Sequence, residues 1–357
     1  MRFTLSNIGT WHSPIQWAGL ILSGMALSAL LNFANFPAAL LLGPVIASTI
    51  FGIRGASVRM PVILHRMAQG IAGCLIARYM SPEIMAGILE HWAAVTAFVA
   101  LTFLISCLVG WTLGRLAHFD EEVTIWGFLP GMAGTMIAMA HERGLDSRIV
   151  AFIQILRVVA VILGVSMLSR VISADAPAAL GDSGPVTTIG LILTPVFCLI
   201  AVLSGRYLTF IPAGATLVPL LLASVLHFAG LPAPALPAWL LPFSYLILGC
   251  QVGLRFTPSM VRSIAQSFFL ILGGIVALLF MCGLSGALLA EIVGESLITG
   301  ILATVPGSVE TVALIAVNTH ANLSFVMTLQ VVRLFAVVLA GPWIAKWMTA
   351  HLTGARA

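Results

Sequence analysis

Apolar stretches long enough to cross a lipid bilayer recur along the whole chain, and they limit what it can fold into. Runs such as 15–31 and 92–113 approach the roughly 20 residues that a helix needs to span the hydrocarbon core. Only 8% of the 357 residues are charged and 60% are hydrophobic, whereas soluble domains carry about 25% charged residues. The sequence therefore predicts an all-α, multi-pass membrane protein without a separate soluble domain.

The second half of the sequence repeats the first at a nearly constant offset. Five positions carry the same residue again 176 places later in the chain. They are Pro130, Gly131, Thr135, Gln154 and Arg157, matched by Pro306, Gly307, Thr311, Gln330 and Arg333. This pattern predicts membrane repeats at 14–172 and 187–350, joined by a linker at 173–186 and forming one transmembrane domain.

Each repeat contains six apolar elements, and a Pro-Gly pair interrupts the fifth. A break of this kind is tolerated at membrane depth only where protein or a water-filled cavity satisfies the freed backbone groups. If the fifth element is a re-entrant hairpin, each repeat crosses the membrane five times and the two repeats have opposite orientations. If it crosses, each repeat has six spans and the two repeats are parallel.

The loop charges favour the inverted arrangement, because Lys and Arg gather on the cytoplasmic side of short loops. With about ten transmembrane helices, two broken or re-entrant elements and a cytoplasmic N-terminus, twelve basic loop residues fall inside and only Arg78 and Arg170 outside. The twelve are Arg2, Arg54, Arg59, Arg66, Arg115, Arg143, Arg148, Arg206, Arg255, Arg262, Lys346 and Arg356. The twelve-span parallel model divides the same residues eight to six. We therefore expect inverted-topology repeats with both termini cytoplasmic.

Three ionisable residues lie inside apolar helices, where each costs several kcal/mol unless it is paired or hydrated. Arg157 and Arg333 occupy equivalent positions, and Glu310 follows the second break, where the first repeat has Gly134. Gln154 and Gln330 precede the arginines by three residues and so share their helix face.

Two hypotheses explain these residues. In the functional one, the helix breaks at Pro130, Gly131, Pro306 and Gly307 expose a substrate site. Arg157, Arg333, Gln154, Gln330, Thr135 and Thr311 would bind an oxyanion there, and Glu310 would couple a proton or cation. In the structural one, Glu310 neutralises one arginine and the other caps hairpin carbonyls, so that the charges only fix the packing.

Other motifs give weaker signals. No HExxH, P-loop, GxGxxG or CxxC string occurs, and the five cysteines lie in apolar runs, so we expect no cofactor and no metal. The basic residues are too scattered to predict nucleic-acid binding. Ser285 lies in a GLSG string that fits the GxSG pattern of rhomboid intramembrane proteases, but such a serine needs a histidine base on a neighbouring span.

The strings PAALLLGPVIAS, PGMAGTMIAMA with FIQILRV, and PGSVETVALIA with LQVVRLF resemble the AbrB family of bacterial membrane proteins over essentially the whole chain. Members of that family typically read Pro-Gly-Gly at both breaks, where this chain has Met132 and Ser308 at the last position. The resemblance implies a location in the bacterial cytoplasmic (inner) membrane and kinship with transporters built from two inverted five-span halves. Members of the AbrB family are sometimes labelled ammonia monooxygenase. The sequence does not support that activity, because no cluster of histidines and carboxylates suits copper or iron.

The first functional hypothesis is a secondary transporter of a small, anionic solute, with the lipid bilayer and that solute as partners and no enzymatic activity. The alternative is a membrane-embedded sensor or regulator that acts indirectly on gene expression through the same pocket. The third is an intramembrane hydrolase at Ser285. The sequence leaves open whether the protein forms a homo-oligomer.

Overall fold

The computed structural model describes residues 8–34, 36, 38–78, 92–131, 136–137, 140–141, 144–172, 187–208, 211, 213–264, 266–319 and 321–352. This part of the chain is helical and contains no strand. Its bounded helices are α1 (Ser13–Phe33), α2 (Ala39–Ile53), α3 (Val62–Arg78), α4 (Trp92–Ala117), α5 (Glu121–Phe128), α6 (Ser147–Ile172), α7 (Thr188–Tyr207), α8 (Gly214–Phe228), α9 (Leu240–Gly253), α10 (Pro258–Ile264), α11 (Phe268–Val293), α12 (Leu297–Thr304), α13 (Val309–Asn318) and α14 (Leu323–Leu352).

Five of the described helices, α1, α4, α6, α7 and α11, are long and apolar enough to cross a membrane. Four shorter apolar segments of 10–17 residues accompany them, namely α2, α8, α9 and the first part of α14 at 323–337. The prediction of an all-helical membrane protein is therefore confirmed. The count of about ten crossings stays a prediction, and the linker at 173–186 lies outside the described residues.

Helices α1 to α3 and α7 to α9 belong to one compact unit, called the first unit here. In it, α3 packs against α8, and α9 packs against α2, so that the third helix of each repeat contacts the second helix of the other. Small residues allow this approach. A Cβ on Gly249 of α9 would lie 2.9 Å from the carbonyl oxygen of Leu41 and 3.2 Å from the nitrogen of Val45. A Cβ on Gly73 of α3, 176 positions earlier, would contact the backbone of Thr216 and Leu220 in the same way.

The second helices of the two repeats also begin alike. Ala38 precedes α2 with φ 54°, and Ala213 precedes α8 with φ 52°, a left-handed conformation that non-glycine residues rarely adopt. Both helices contain a proline, Pro44 and Pro219, at the same internal position. The likeness of the two repeats thus extends from residue identity to backbone conformation.

Helices α4, α5, α11, α12 and α14 belong to the second unit, together with α6 up to Val161. Here α5 packs against α4, and α12 against α11, again through glycines. A Cβ on Gly110 of α4 would lie 2.8 Å from the Cα of Ile125, and Gly286, its counterpart in α11, contacts the backbone of Gly300. Each unit therefore takes equivalent helices from both repeats.

The glycine contacts between α3 and α8 give a stability test. Gly73→Ala adds a methyl group where backbone atoms already touch, and overpacking of this kind costs about 1–3 kcal/mol. We expect a lower melting temperature in detergent for Gly73→Ala. Gly273→Ala in α11 is the matched control, because a Cβ there has no neighbour within 4 Å, so its melting temperature should stay the same or rise. Equal melting temperatures of Gly73→Ala and the wild type would contradict the packing.

Candidate functional site

The Pro-Gly breaks end two short helices of the second unit. α5 begins at Asp120, whose Oδ1 accepts the N–H of Glu122 at 2.9 Å, and ends at Phe128. α12 begins at Ser296, whose Oγ accepts the N–H of Thr299 at 3.3 Å. Both N-caps occupy equivalent positions of the two repeats, and in both repeats the helix ends two residues before the proline. We call 121–146 hairpin 1 and 297–322 hairpin 2.

The chain returns beside the start of hairpin 2. Asn322 donates its backbone N–H to Thr299 Oγ1 at 3.0 Å and its side-chain Nδ2 to Glu295 Oε1 at 2.6 Å. Its Oδ1 also accepts the N–H of Phe325 at 3.2 Å and so caps α14. An eight-residue helix such as α12 rises only about 12 Å, which is much less than the ~30 Å thickness of a bilayer core.

Hairpin 1 has the corresponding arrangement. Leu145 and Ile149 pack against the same buried cluster as Val123 near the start of α5. Asp146, the counterpart of Asn322, accepts the N–H of Arg148 at 3.0 Å near the start of α6. The start and the end of hairpin 1 thus share one buried cluster, which also contains Leu129 beside the break.

Two side chains of α6 hold the end of α5. Gln154 Nε2 donates to the carbonyl oxygens of Trp126 at 3.1 Å and Leu129 at 3.0 Å. Arg157 Nη1 donates to those of Phe128 at 3.2 Å and Leu129 at 2.7 Å. We call this pair of side chains the clamp of hairpin 1.

The clamp of hairpin 2 repeats these contacts residue for residue. Gln330 Nε2 donates to the carbonyls of Leu302 at 2.8 Å and Val305 at 3.1 Å. Arg333 Nη1 donates to those of Thr304 at 3.4 Å and Val305 at 2.9 Å. Every donor and acceptor lies 176 positions after its counterpart in hairpin 1.

The clamps have a clear physical role. The last carbonyls of a helix have no partner within it, and an unpaired buried carbonyl costs roughly 1–3 kcal/mol. The four clamp side chains are at most 3% exposed, so water does not reach these carbonyls readily. A guanidinium at a helix C-terminus also interacts favourably with the helix dipole. The clamps therefore allow α5 and α12 to end inside the protein.

The two clamps differ in how completely they are satisfied. Arg333 Nη2 also donates to Gly307 O at 3.3 Å and to Gln330 Oε1. In the clamp of hairpin 1 the equivalent Gln154 Oε1 is buried without a hydrogen-bond partner among the described residues, as are the Nε atoms of Arg157 and Arg333. The clamp side chains thus keep two Nε–H donors and one amide oxygen without a partner among the described residues.

The positive charge of the arginines has no opposite partner in the described residues. There, the ion pair that forms is Arg115 with Glu121, at 3.2 Å and outside the clamps. Arg157 and Arg333 are close enough for their positive charges to repel each other. Two like charges at one place favour a nearby negative group.

The remaining predicted site residues lie as follows. Thr311 Oγ1 donates to Ser308 O at 3.1 Å, and the N–H of Thr311 donates to Ser308 Oγ at 3.3 Å, so both residues cap the start of α13. Glu310 belongs to α13, but its side chain lies outside the described part, as does Thr135. Pro130 and Pro306 are buried at the breaks. The N–H groups of Gly131 and Gly307 bond to Leu129 O at 2.8 Å and Val305 O at 2.9 Å, which gives both breaks the same turn.

Sequence reasoning missed two residues of this site. Ser308 stands where the family resemblance leads one to expect glycine, and its hydroxyl supplies an N-cap; the spacing Ser-x-x-Thr was the available signal. Thr304 Oγ1 donates to Cys282 O at 2.7 Å and joins hairpin 2 to α11. Ser285, the candidate nucleophile, is buried and donates to Cys282 O at 2.8 Å. The described residues hold no group of three or more metal-ligating side chains.

Together these features define an all-helical membrane protein with two clamped hairpins. The family model described as "Transition state regulatory protein AbrB" matches residues 40–349, and the chain belongs to this AbrB family. It is similar to the "Putative regulator AbrB" of Escherichia coli K12, with 35% identity over 94% of this chain and 97% of that protein. It is also similar to "Uncharacterized protein YhjN" of Bacillus subtilis 168, with 27% identity over 77% of this chain and 76% of that protein.

The clamps can be tested one glutamine at a time. Gln330→Leu keeps the side-chain size but removes the donor to two buried carbonyls, so we expect a loss of about 1–3 kcal/mol in the free energy of unfolding. Gln154→Leu should lose a similar amount. The exposed Gln266 offers the control Gln266→Leu, expected within about 0.5 kcal/mol of the wild type. Wild-type stability of Gln330→Leu would show that the clamp does not hold the hairpin.

Proposed function

We propose that the protein is a secondary transporter of a small anionic solute, with the solute site at the two clamped breaks. The observation that carries this proposal is the buried pair Arg157 and Arg333, which has no opposite charge among the described residues. An anion between the breaks would supply that charge. Ionisable groups inside a membrane usually serve a function, because burying a charge there costs several kcal/mol of free energy.

The available donors suit a small oxyanion. The terminal nitrogens of the arginines are largely engaged with carbonyls, whereas the two Nε–H groups are buried and have no partner in the part of the chain that the structure describes. The start of α13, which Ser308 and Thr311 cap, presents further backbone N–H groups at the second break, and a helix N-terminus favours negative charge. Glu310 in that first turn is the residue that we assign to coupling with a proton or cation.

The same proposal includes the inverted arrangement of two five-span repeats with re-entrant hairpins. Two contacts of the first unit support it. Arg78 at the end of α3 donates to Pro234 O, in the loop before α9, at 3.2 Å. A Cβ on Gly52 at the end of α2 would lie 2.7 Å from the carbonyl oxygen of Gly253 at the end of α9. Parallel six-span repeats would put the members of each pair on opposite sides of the membrane.

Other positions agree with this orientation. The N–H of Ile8 bonds to Arg54 O at 3.2 Å, so Ile8, the first described residue, lies at the end of α2 that carries basic residues. By the positive-inside rule this end is cytoplasmic. We accordingly place both termini in the cytoplasm and the protein in the bacterial inner membrane.

The alternative is a membrane sensor, which the name of the Escherichia coli relative as a regulator favours. A sensor would use the same site but bind the solute without moving it. Any effect on gene expression would then pass through a membrane partner. Flux and binding, measured on one preparation, separate the two functions.

The proposal predicts solute uptake that depends on the clamp arginine and the acidic residue. We expect wild-type proteoliposomes to accumulate at least one small carboxylate from a panel, and Arg333→Ala and Glu310→Gln to abolish uptake while the purified variants remain monodisperse. Arg115→Ala is the control, since Arg115 is about half exposed and pairs with Glu121 outside the clamps. This variant should transport normally.

Three results would weigh against the proposal. Unchanged uptake in both variants would exclude the assigned residues. Saturable binding that stabilises the wild type against heat without any flux would favour the sensor. Covalent labelling of Ser285 by a serine-reactive probe would favour the hydrolase.

A further inference from the structure

The second unit contains an apolar groove that the clamps do not use. It lies between α4 and α11 and has a volume of about 780 Å³, within the 300–1,000 Å³ of typical small-molecule sites. Leu101, Ile105, Met281 and Leu288 are among its lining residues. Leu288 is 53% exposed and Met281 is 42% exposed, so the wall of the groove stays uncovered by the protein.

Two carboxylates lie at one end of this groove. Glu291 is in the last turn of α11, and Glu295 follows the left-handed turn at Gly294. Glu295 is held by Asn322 Nδ2 at 2.6 Å, whereas Glu291 has no hydrogen bond or ion pair to any described residue. The lining residues include no Lys or Arg. The groove is therefore apolar along its length and negative at the end of a membrane-spanning helix.

The equivalent position in the first repeat has the opposite charge. Arg115 of α4 lies 176 residues before Glu291 and pairs with Glu121 at 3.2 Å. The carboxylate of Glu291 is thus a feature of the second repeat alone. The carboxylate of Glu291 is therefore available to a cation outside the protein, whereas Arg115 pairs with Glu121 inside it.

We infer that this groove binds a membrane phospholipid whose head group carries a primary ammonium, such as phosphatidylethanolamine. Inside a bilayer the apolar wall gains little by exchanging one acyl chain for another, because both environments are equally apolar. Selection among lipids must then come from the head group. A primary ammonium has three N–H donors for two carboxylates, and such charge-assisted bonds are strong. The quaternary ammonium of phosphatidylcholine has no N–H donor.

The bound head group would also touch the start of hairpin 2. Asn322, which positions Glu295, bonds through its backbone N–H to Thr299 Oγ1 in α12. Ser296, the N-cap of α12, shares a hydrogen bond with the same hydroxyl at 2.7 Å. An ammonium on Glu295 is therefore linked to both ends of the hairpin by short polar contacts.

Native mass spectrometry with equal amounts of phosphatidylethanolamine and phosphatidylcholine of the same acyl chains tests this inference. We expect the wild type to retain phosphatidylethanolamine about tenfold more. Glu291→Gln with Glu295→Gln should remove the preference, and Glu291→Gln alone, at an exposed position, should reduce it without affecting folding. Glu121→Gln, which removes a carboxylate outside the groove, should keep the preference in full.

Filling the groove by Leu288→Trp should reduce retention of both lipids. Equal retention of the two lipids by the wild type, or an unchanged preference in the double variant, would overturn the inference. So would a dimer that Leu288→Trp converts to monomer, because a second copy of the chain would then occupy the groove.

Discussion

A helix that ends inside a membrane protein must find partners for its last carbonyl groups, and the rest of this structure depends on how that need is met. Gln154 with Arg157, and Gln330 with Arg333, supply the donors by the same four contacts. Because water is largely excluded there, a buried Pro-Gly break is tolerated only where the protein supplies these donors, and the clamps supply them. In the proposed arrangement, the breaks give each repeat a re-entrant hairpin instead of a sixth span.

The clamps join structure to function through their charge. An uncharged donor could satisfy the same carbonyls, as the glutamines do, so the two arginines bring a positive charge that capping alone does not require. The helix dipoles of α5 and α12 offset part of it. Two donors, the Nε–H groups of Arg157 and Arg333, have no partner among the described residues, and in the proposed function an anion would accept their hydrogen bonds. In this account one set of residues both fixes the hairpins and attracts the solute.

The sequence predicted some of this arrangement and not the rest, for physical reasons. A spacing of three residues puts Gln154 and Arg157 on one helix face, and in the structure both reach the same break. Which carbonyls they bond to depends on where α5 ends alongside α6. The spacing of residues within one helix does not determine that position. The sequence also did not predict that each unit combines helices from both repeats, because contacts such as Gly73 with Thr216 join residues far apart in the chain. The family resemblance predicts glycine at position 308, and the sequence alone does not show that the hydroxyl of Ser308 caps α13.

Cross-linking across the two ends of hairpin 2 tests most directly whether the chain turns back at its second break. Cysteines at Glu295 and Asn322, whose side chains are 2.6 Å apart, should be joined by a short thiol-reactive linker in native membranes, with the five buried native cysteines replaced. Cysteines at Ser267 and Asn322 should not react together, because the 26 residues of α11 separate Ser267 from the end where hairpin 2 begins. A cross-link in the first pair alone agrees with a re-entrant hairpin. Its absence in the first pair, or its presence only in the second, would mean that the element crosses the membrane.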